Sequence, residues 1–454
     1  MILVLASVGG VLIPSWKEWA GSGPPVPTMP RTPTPARPLA AAGLALPLLL
    51  TACGTGGSGA SGASPSAPAE PTPASDVREV AASSPRLALT HDGGVRVLDA
   101  TTLETVADLP LAGFNRLNAA GDGRHLLVST QGGFRVLDAG TWTEPHGDHG
   151  HHYTSAPQLT DVLHPAEEPG HVVAHDGHTA LFDDGTGEVV VLDSDRVAAG
   201  ADGARRLTTP SPHHGVAVAL GDGTLVVSEG TEDERTGIRV LDAAGAEVAS
   251  SAGCPGVHGE AVAADDAVVI GCEDGALVHA GGQVREVQSP DAYGRIGNQA
   301  GSASSAVVLG DYKTDPDAEL ERPTRVALVD TRTAQLRLVD LPASYSFRSL
   351  ARGEDGEALV LGTDGALHVI DPESGTLERS VPVVAPWEEP LEWQQPRPAL
   401  QVLDGTAYVT EPATGQVHAV DVLTGEVWRS ADVGVVPNEL AGVTGDDTGS
   451  DHED

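Results

Sequence analysis

The sequence has few basic residues, few aromatic residues and few sulfur atoms. Of 454 residues, 26 are Lys or Arg against 64 Asp or Glu, which gives a formal net charge of −38. This shortage of basic residues argues against a nucleic-acid partner, because phosphate backbones are bound by basic surfaces. Aromatic residues make up only 3% of the chain, although 40% of it is hydrophobic. The core must therefore be built from Val, Ala and Leu.

Helical periodicity is nearly absent as well, and a repeated β-hairpin takes its place. A hydrophobic strand that ends in aspartate recurs along the chain, with its last residue at Asp99, Asp138, Asp193, Asp242, Asp330, Asp371 and Asp421. A degenerate copy at Ala276–Ala280 fills the longest gap, so eight copies follow one another at intervals of about 46 residues. Four short strands in such a period are typical of a propeller blade. The sequence predicts an all-β propeller of four-stranded blades, with eight blades favoured and seven as the alternative.

The amino-terminal region is typical of an export signal rather than of a fold. Arg31 and Arg37 precede a short apolar run that ends in the residues Leu-Thr-Ala-Cys53. Such a run behind positive charge is a secretory signal and is too short to span a membrane. Its last four residues match the bacterial lipobox, whose cysteine is acylated. We therefore expect a lipid anchor at Cys53 on the extracytoplasmic face of the cell membrane, and an ordinary signal peptide is the alternative.

These features predict five successive segments. Met29 is a better start than Met1, because the residues before it have no role in the signal. The expected segments are an upstream extension (1–28), the lipoprotein signal peptide (29–53), a flexible Gly/Ser/Pro tether (54–80), the propeller (81–440) and an acidic disordered tail (441–454).

Export also determines the expected role of the two remaining cysteines. Cys254 and Cys272 are 18 residues apart, on either side of one predicted hairpin. Thiols in an oxidising compartment usually pair, so we expect a disulfide. A metal site shared with histidine is the alternative.

Histidine is concentrated in two patterns, and the first is a short stretch after the second hairpin. It contains His146, Asp148, His149, His151 and His152, with glycine spacers. Because this interval is about nine residues longer than the average, we expect a surface loop inserted into the blade sequence. Imidazole is a common zinc ligand, so the loop is expected to bind a second zinc weakly and to relay it between the channel and a partner. A solvated loop without a ligand is the alternative.

The second pattern follows the blade period. His171, His214 and His258 are separated by 43 and 44 residues, with His213 as the alternative to its neighbour because adjacent residues on a strand face opposite sides. Equivalent positions at the start of an inner strand surround the channel of a propeller. We therefore expect three imidazoles to converge on one metal ion, and three unrelated hydrogen-bonded histidines are the alternative.

The chemistry of this donor set favours zinc. Glu260, Asp148 and Asp176 are carboxylates that could complete a tetrahedral site, and His175 is a further candidate ligand. An all-imidazole set, or three histidines with one carboxylate, suits Zn²⁺ best, with Cu²⁺ and Ni²⁺ as the alternatives, whereas calcium and magnesium prefer oxygen ligands.

Four segments around these histidines resemble the AztD-type extracytoplasmic zinc metallochaperones. They are Pro169–Gly177, Leu181–Gly187, Pro212–Ala217 and Cys254–Ala261. The resemblance implies a β-propeller, not an enzyme, that carries Zn²⁺ and hands it to the solute-binding protein of a zinc ABC importer. The lipobox departs from the better-known relatives, which are soluble periplasmic proteins.

Two other functions fit the same sequence. The first is a scaffold or binding propeller lipoprotein whose histidines hold no metal. The second is a metal-dependent propeller hydrolase, in which Glu260 would be the general base beside a metal-bound water.

Overall fold

The computed structural model describes residues 77–147 and 149–446. The signal peptide, the lipobox with Cys53 and most of the predicted tether lie outside the described residues. Strands β1–β35 are numbered in chain order, and two short 3₁₀ helices, Ser194–Ala199 and Ala264–Asp266, accompany them. Within the described residues, no helix combines the length and the hydrophobicity that crossing a membrane would need.

The strands form eight four-stranded antiparallel sheets, one for each predicted blade. The fold prediction and the favoured blade number are therefore confirmed. In chain order, blade 2 consists of β5 (Arg116–Ala119), β6 (His125–Thr130), β7 (Gly133–Asp138) and β10 (Gln158–Pro165), and blade 3 of β11 (Pro169–His175), β12 (His178–Asp183), β13 (Glu188–Asp193) and β14 (Arg205–Thr208). Blade 4 consists of β15 (Ala217–Ala219), β16 (Leu225–Gly230), β17 (Arg235–Leu241) and β18 (Glu247–Ser251), and blade 5 of β19 (Glu260–Ala263), β20 (Ala267–Cys272), β21 (Gly275–Ala280) and β22 (Gln283–Gln288).

The remaining blades follow the same order, except that blade 1 takes its inner strand from the other end of the chain. Blade 6 consists of β23 (Gln299–Ser302), β24 (Ser305–Asp311), β25 (Arg325–Asp330) and β26 (Gln335–Asp340), and blade 7 of β27 (Tyr345–Arg352), β28 (Ala358–Gly362), β29 (Ala366–Asp371) and β30 (Thr376–Pro382). Blade 8 consists of β31 (Leu400–Leu403), β32 (Thr406–Glu411), β33 (Gln416–Asp421) and β34 (Val427–Asp432), and blade 1 of β35 (Leu440–Val443), β2 (Arg86–His91), β3 (Gly94–Asp99) and β4 (Thr105–Pro110).

The closure of the ring corrects the predicted end of the propeller. Strand β35 pairs with β2, with Leu440 opposite Leu89 and Val443 opposite Arg86. Residues 441–443, expected to belong to a disordered tail, therefore lie in the inner strand of blade 1. Pairing the two ends of the chain in one sheet removes the exposed edges that an open propeller would leave.

The core lies in layers between neighbouring blades and consists of small aliphatic side chains, as the composition requires. Between blades 4 and 5, for example, Val226 and Ile238 pack with Ile270 and Leu277, and all four are fully buried. Each such layer removes apolar surface from water, at about 25 cal/mol per Å².

Each blade has two ends, which the strand pairing of blade 3 illustrates. Pro169 at the start of β11 pairs with Asp183 at one end, and His175 at the finish of β11 pairs with His178 at the other. We call the end where the inner strands begin the upper face, and the end where they finish the lower face.

Candidate metal centre

Three histidines from three neighbouring blades meet at the upper face. His171 lies near the start of β11, and His214 and His258 lie in the segments that lead into β15 and β19. Their ring centroids are 5.1, 5.1 and 5.9 Å apart. One ring nitrogen of each histidine lies within 4.8 Å of the others. The structure thus brings together the residues that the blade period selected, and we call them the three-histidine centre.

Each ring of this centre is held through its Nδ1 atom by a different acceptor. Nδ1 of His171 is 3.2 Å from Oε1 of Glu260, and Nδ1 of His214 is 2.6 Å from Oδ2 of Asp184. Nδ1 of His258 donates to the carbonyl oxygen of residue 297 at 2.6 Å. Because carboxylates and carbonyls only accept, Nδ1 carries the proton and Nε2 keeps the lone pair that binds a metal.

The environment of the centre shifts the pKa values of two of its histidines in opposite directions. Burial disfavours the charged form of His171, but the charge and the hydrogen bond of Glu260 outweigh it and raise the pKa of His171. Burial, followed by the charge of His214, holds the pKa of His258 well below the ordinary value. His258 is therefore ready to donate a lone pair to a metal at neutral pH, whereas a proton competes with the metal at His171.

His213 is excluded from the centre by its own hydrogen bonds. Its side chain is buried, with Nδ1 2.9 Å from the carbonyl oxygen of Ser211 and Nε2 2.9 Å from Oγ of Ser228. It also packs edge-on against Phe182 at 5.2 Å. His213 therefore stabilises blade 4, while His214 belongs to the three-histidine centre.

A polar cavity of about 190 Å³ adjoins His171 and Glu260. The buried amide of Gln299 borders it, and neither of the two polar atoms of that amide has a hydrogen-bond partner. Gly259 has a φ of +74°, and a Cβ atom there would lie 2.2 Å from Oε1 of Gln299. Glycine is therefore required beside His258, because its positive φ and the close contact with Gln299 leave no room for a side chain.

The first histidine stretch is a β-hairpin rather than a loop. Strands β8 (Thr141–His146) and β9 (His149–Thr154) pair with each other, and β1 (Arg78–Val80) adds to β9 to make a separate three-stranded sheet. We call this element the histidine hairpin. The prediction of an insertion is confirmed. The expectation of a loop is wrong, because the backbones of the inserted residues pair as the strands β8 and β9.

Three of the four hairpin histidines form a second cluster. The ring centroids of His146, His149 and His151 are 5.1 to 5.2 Å apart, and one nitrogen of each lies within 4.8 Å of the others. His152 faces the other side of the hairpin, where its Nδ1 is 2.8 Å from Oγ1 of Thr143. Asp148 lies outside the described residues. His152 is therefore removed from the predicted ligand set.

The two clusters lie at opposite ends of the blades. The histidine hairpin leaves β7 after Asp138 and returns to β10 at Gln158, and these two residues pair at the lower face. A six-residue strand spans about 20 Å, so a full strand length separates the hairpin from the upper face. An ion passing between the hairpin and the three-histidine centre would have to travel this distance, and the relay between the channel and a partner that the sequence predicts stays a prediction.

The remaining predicted site residues also lie at opposite ends of the blades. Glu260 is at the centre, but as the partner of Nδ1 of His171. His175 lies at the lower end of β11, where its Nε2 is 2.9 Å from Oδ1 of Asp266, and Asp176 follows it in the turn. The sequence reasoning missed Asp184, although the Asp-Asp-Gly turn that contains it was part of the resemblance.

The predicted disulfide is confirmed and lies beside the centre. Cys254 and Cys272 are bonded, with Cα atoms 5.0 Å apart. Four residues after the first cysteine, the backbone N–H of His258 donates to the carbonyl oxygen of residue 271 at 3.1 Å. The disulfide therefore fastens the segment that carries His258 to strand β20.

Comparison with known proteins agrees with this fold. No protein-family model matches the sequence. The chain is 28% identical over 340 residues to the zinc chaperone AztD of Citrobacter koseri, which covers 72% of this chain and 78% of that protein. The crystal structure of Citrobacter koseri AztD superimposes with a TM-score of 0.69 and 26% identity, over 80% of this chain and 98% of that one. The structure of the apo protein gives 0.68 over the same shares. In its sequence and in its eight-bladed fold, this chain is therefore similar to the zinc chaperone AztD of Citrobacter koseri.

Proposed function

We propose that this protein carries Zn²⁺ at the three-histidine centre and delivers it to the solute-binding protein of a zinc ABC importer. The observation that carries the proposal is the convergence of His171, His214 and His258 with every Nδ1 atom occupied by an acceptor. Three imidazoles with fixed rings are a favourable set for zinc. The net charge of −38 adds a long-range attraction for cations.

The small number of protein ligands at the centre supports transfer rather than permanent retention. Structural zinc sites are closed by four protein ligands, whereas three histidines supply only three. A partner could therefore add its own ligand before the first histidine dissociates, so the ion need not pass through water as a free cation. The AztD relative is named a zinc chaperone, not an enzyme.

The decisive experiment compares direct transfer with passive release. The zinc-loaded protein is mixed with a candidate apo solute-binding protein in the presence of a strong chromophoric chelator. Direct exchange predicts that zinc reaches the solute-binding protein faster than it reaches the chelator alone, with a rate that rises with the concentration of the partner. A rate equal to spontaneous dissociation at all partner concentrations would refute delivery by contact.

The acceptors behind the rings should matter almost as much as the rings themselves. Replacing Glu260 by glutamine or Asp184 by asparagine keeps the shape but removes the charge that orients His171 or His214. We expect each change to weaken zinc binding by about 10- to 100-fold, as for other partners of metal-bound histidines. Competition titration measures the affinity, and Asp108→Asn in the distant strand β4 serves as the control. An unchanged affinity in both variants would show that the carboxylates do not support the ligands.

For localisation, we propose that the mature protein is held at the extracytoplasmic face of the membrane through Cys53. The lipobox sequence before that residue supports this. Cys53→Ser should abolish lipid attachment, and the protein should appear either in the medium or as an unprocessed precursor. Fractionation and metabolic labelling with a fatty acid measure this. Unchanged processing and membrane association in the variant would disprove the anchor.

A further inference from the structure

The first described strand of the chain is weakly held. Among the residues that the structure describes, the three-residue strand β1 pairs only with β9. It buries little of its surface, since Arg78 and Glu79 are exposed and Val77 is 43% exposed. Short strand pairs without a hydrophobic face are marginal in water. An additional interaction is therefore needed to keep this strand in place.

Glu79 supplies a contact from β1 to the histidine hairpin. In the register, Glu79 pairs with Tyr153, so it shares a face with His151, two residues away on β9. Nδ1 of His151 is 2.7 Å from Oε1 of Glu79. On its other side, Nε2 of His151 is 3.1 Å from Nδ1 of His146. One nitrogen of His151 thus faces the histidine cluster while the other contacts β1.

This arrangement repeats the design of the three-histidine centre at the other end of the molecule. There, the Nδ1 atoms of His171 and His214 contact Glu260 and Asp184. In both places a carboxylate from another strand or turn orients a clustered imidazole. At the hairpin, however, the carboxylate belongs to a strand that little else holds.

We propose that a zinc ion bound by His146, His149 and His151 acts as a clasp that fastens β1 to the histidine hairpin through Glu79. Bound metal makes the imidazole N–H a stronger donor, which strengthens the hydrogen bond to the carboxylate. Linkage requires the converse, so docking of β1 must raise the zinc affinity of the hairpin by the same factor. Zinc on the hairpin therefore controls how firmly β1 is attached at the lower face. This role is separate from the carriage of zinc at the three-histidine centre.

Hydrogen exchange of β1 tests the clasp in the mature protein, with zinc alone as the probe. The amides of residues 78–80 should exchange at least 10-fold more slowly when the hairpin is loaded. Glu79→Gln should remove most of this protection and weaken zinc binding at the hairpin by about 10- to 100-fold. The matched control Glu104→Gln, an exposed glutamate in blade 1, should behave like the wild type.

Two further variants separate this site from the proposed cargo site. The double variant His146→Ala/His149→Ala should lose the protection of β1 entirely, and His258→Ala should retain it. The clasp is refuted if the hairpin binds no zinc, if zinc binds there without slowing exchange in β1, or if Glu79→Gln behaves like the wild type. None of these results bears on zinc binding at the three-histidine centre, which is measured separately.

Discussion

Replacing His258 by alanine is expected to abolish tight zinc binding. The change leaves two imidazoles where three converged, and it removes the ring whose pKa lies well below the ordinary value and which competes least with protons. The loss of a direct ligand should exceed the effect of losing an orienting partner, so we expect the affinity to fall by more than about 100-fold. Competition with a chromophoric chelator, with the protein at equal concentrations, measures this.

The neighbouring histidines provide a sharp control for this prediction. His214→Ala should weaken zinc binding as strongly as His258→Ala. His213→Ala should instead lower the stability, because the side chain is buried and makes two hydrogen bonds, and should leave zinc affinity close to that of the wild type. His91→Ala, in blade 1, controls for the removal of any histidine. If His258→Ala binds zinc like the wild type, the three-histidine centre is not the cargo site.

Reducing the disulfide between Cys254 and Cys272 is expected to lower the free energy of unfolding by about 3 kcal/mol, the loop-entropy value for a sequence separation of 18. Chemical denaturation of the oxidised and the reduced wild type measures the difference, because this comparison keeps the packing of both side chains. The double variant Cys254→Ala/Cys272→Ala should lose at least as much, since both side chains are buried. Equal stability of the oxidised and reduced forms would contradict the prediction.

The same disulfide should also affect zinc binding, although neither cysteine touches the centre. It fixes the start of the segment that ends at His258, so its loss adds conformational freedom that metal binding must remove. We expect the alanine double variant to bind zinc more weakly than the wild type but more tightly than His258→Ala. A double variant with wild-type affinity would show that the backbone hydrogen bond of His258 is sufficient to hold the ring.

Features that depend on order and spacing along the chain could be predicted from the sequence. The period of about 46 residues determined the blade number, because every blade uses the same sequence of strand and turn. Spacings of 43 and 44 residues selected the histidines of the centre, since residues one period apart occupy equivalent positions in neighbouring blades. The disulfide followed from its position around a single hairpin.

Features that depend on contacts between distant parts of the chain needed the tertiary structure. The acceptor of His171 is 89 residues away in sequence, and the acceptor of His151 is 72 residues away. No local pattern reveals such pairs. The choice between His213 and His214 also depended on packing, because both residues have the same chemistry and only their surroundings differ.

The sequence by itself determined the kind of fold, the disulfide between Cys254 and Cys272, and the three histidines that are one blade period apart. Only the tertiary structure decided that the histidine hairpin lies at the lower face and the three-histidine centre at the upper face. The physical reason is that antiparallel strands alternate in direction, so the end at which an insertion emerges depends on which two strands it connects. An insertion between the third and fourth strands of a blade emerges opposite the segments that lead into the first strands. The hairpin histidines and His171 are close in sequence, but they therefore lie a strand length apart in the molecule.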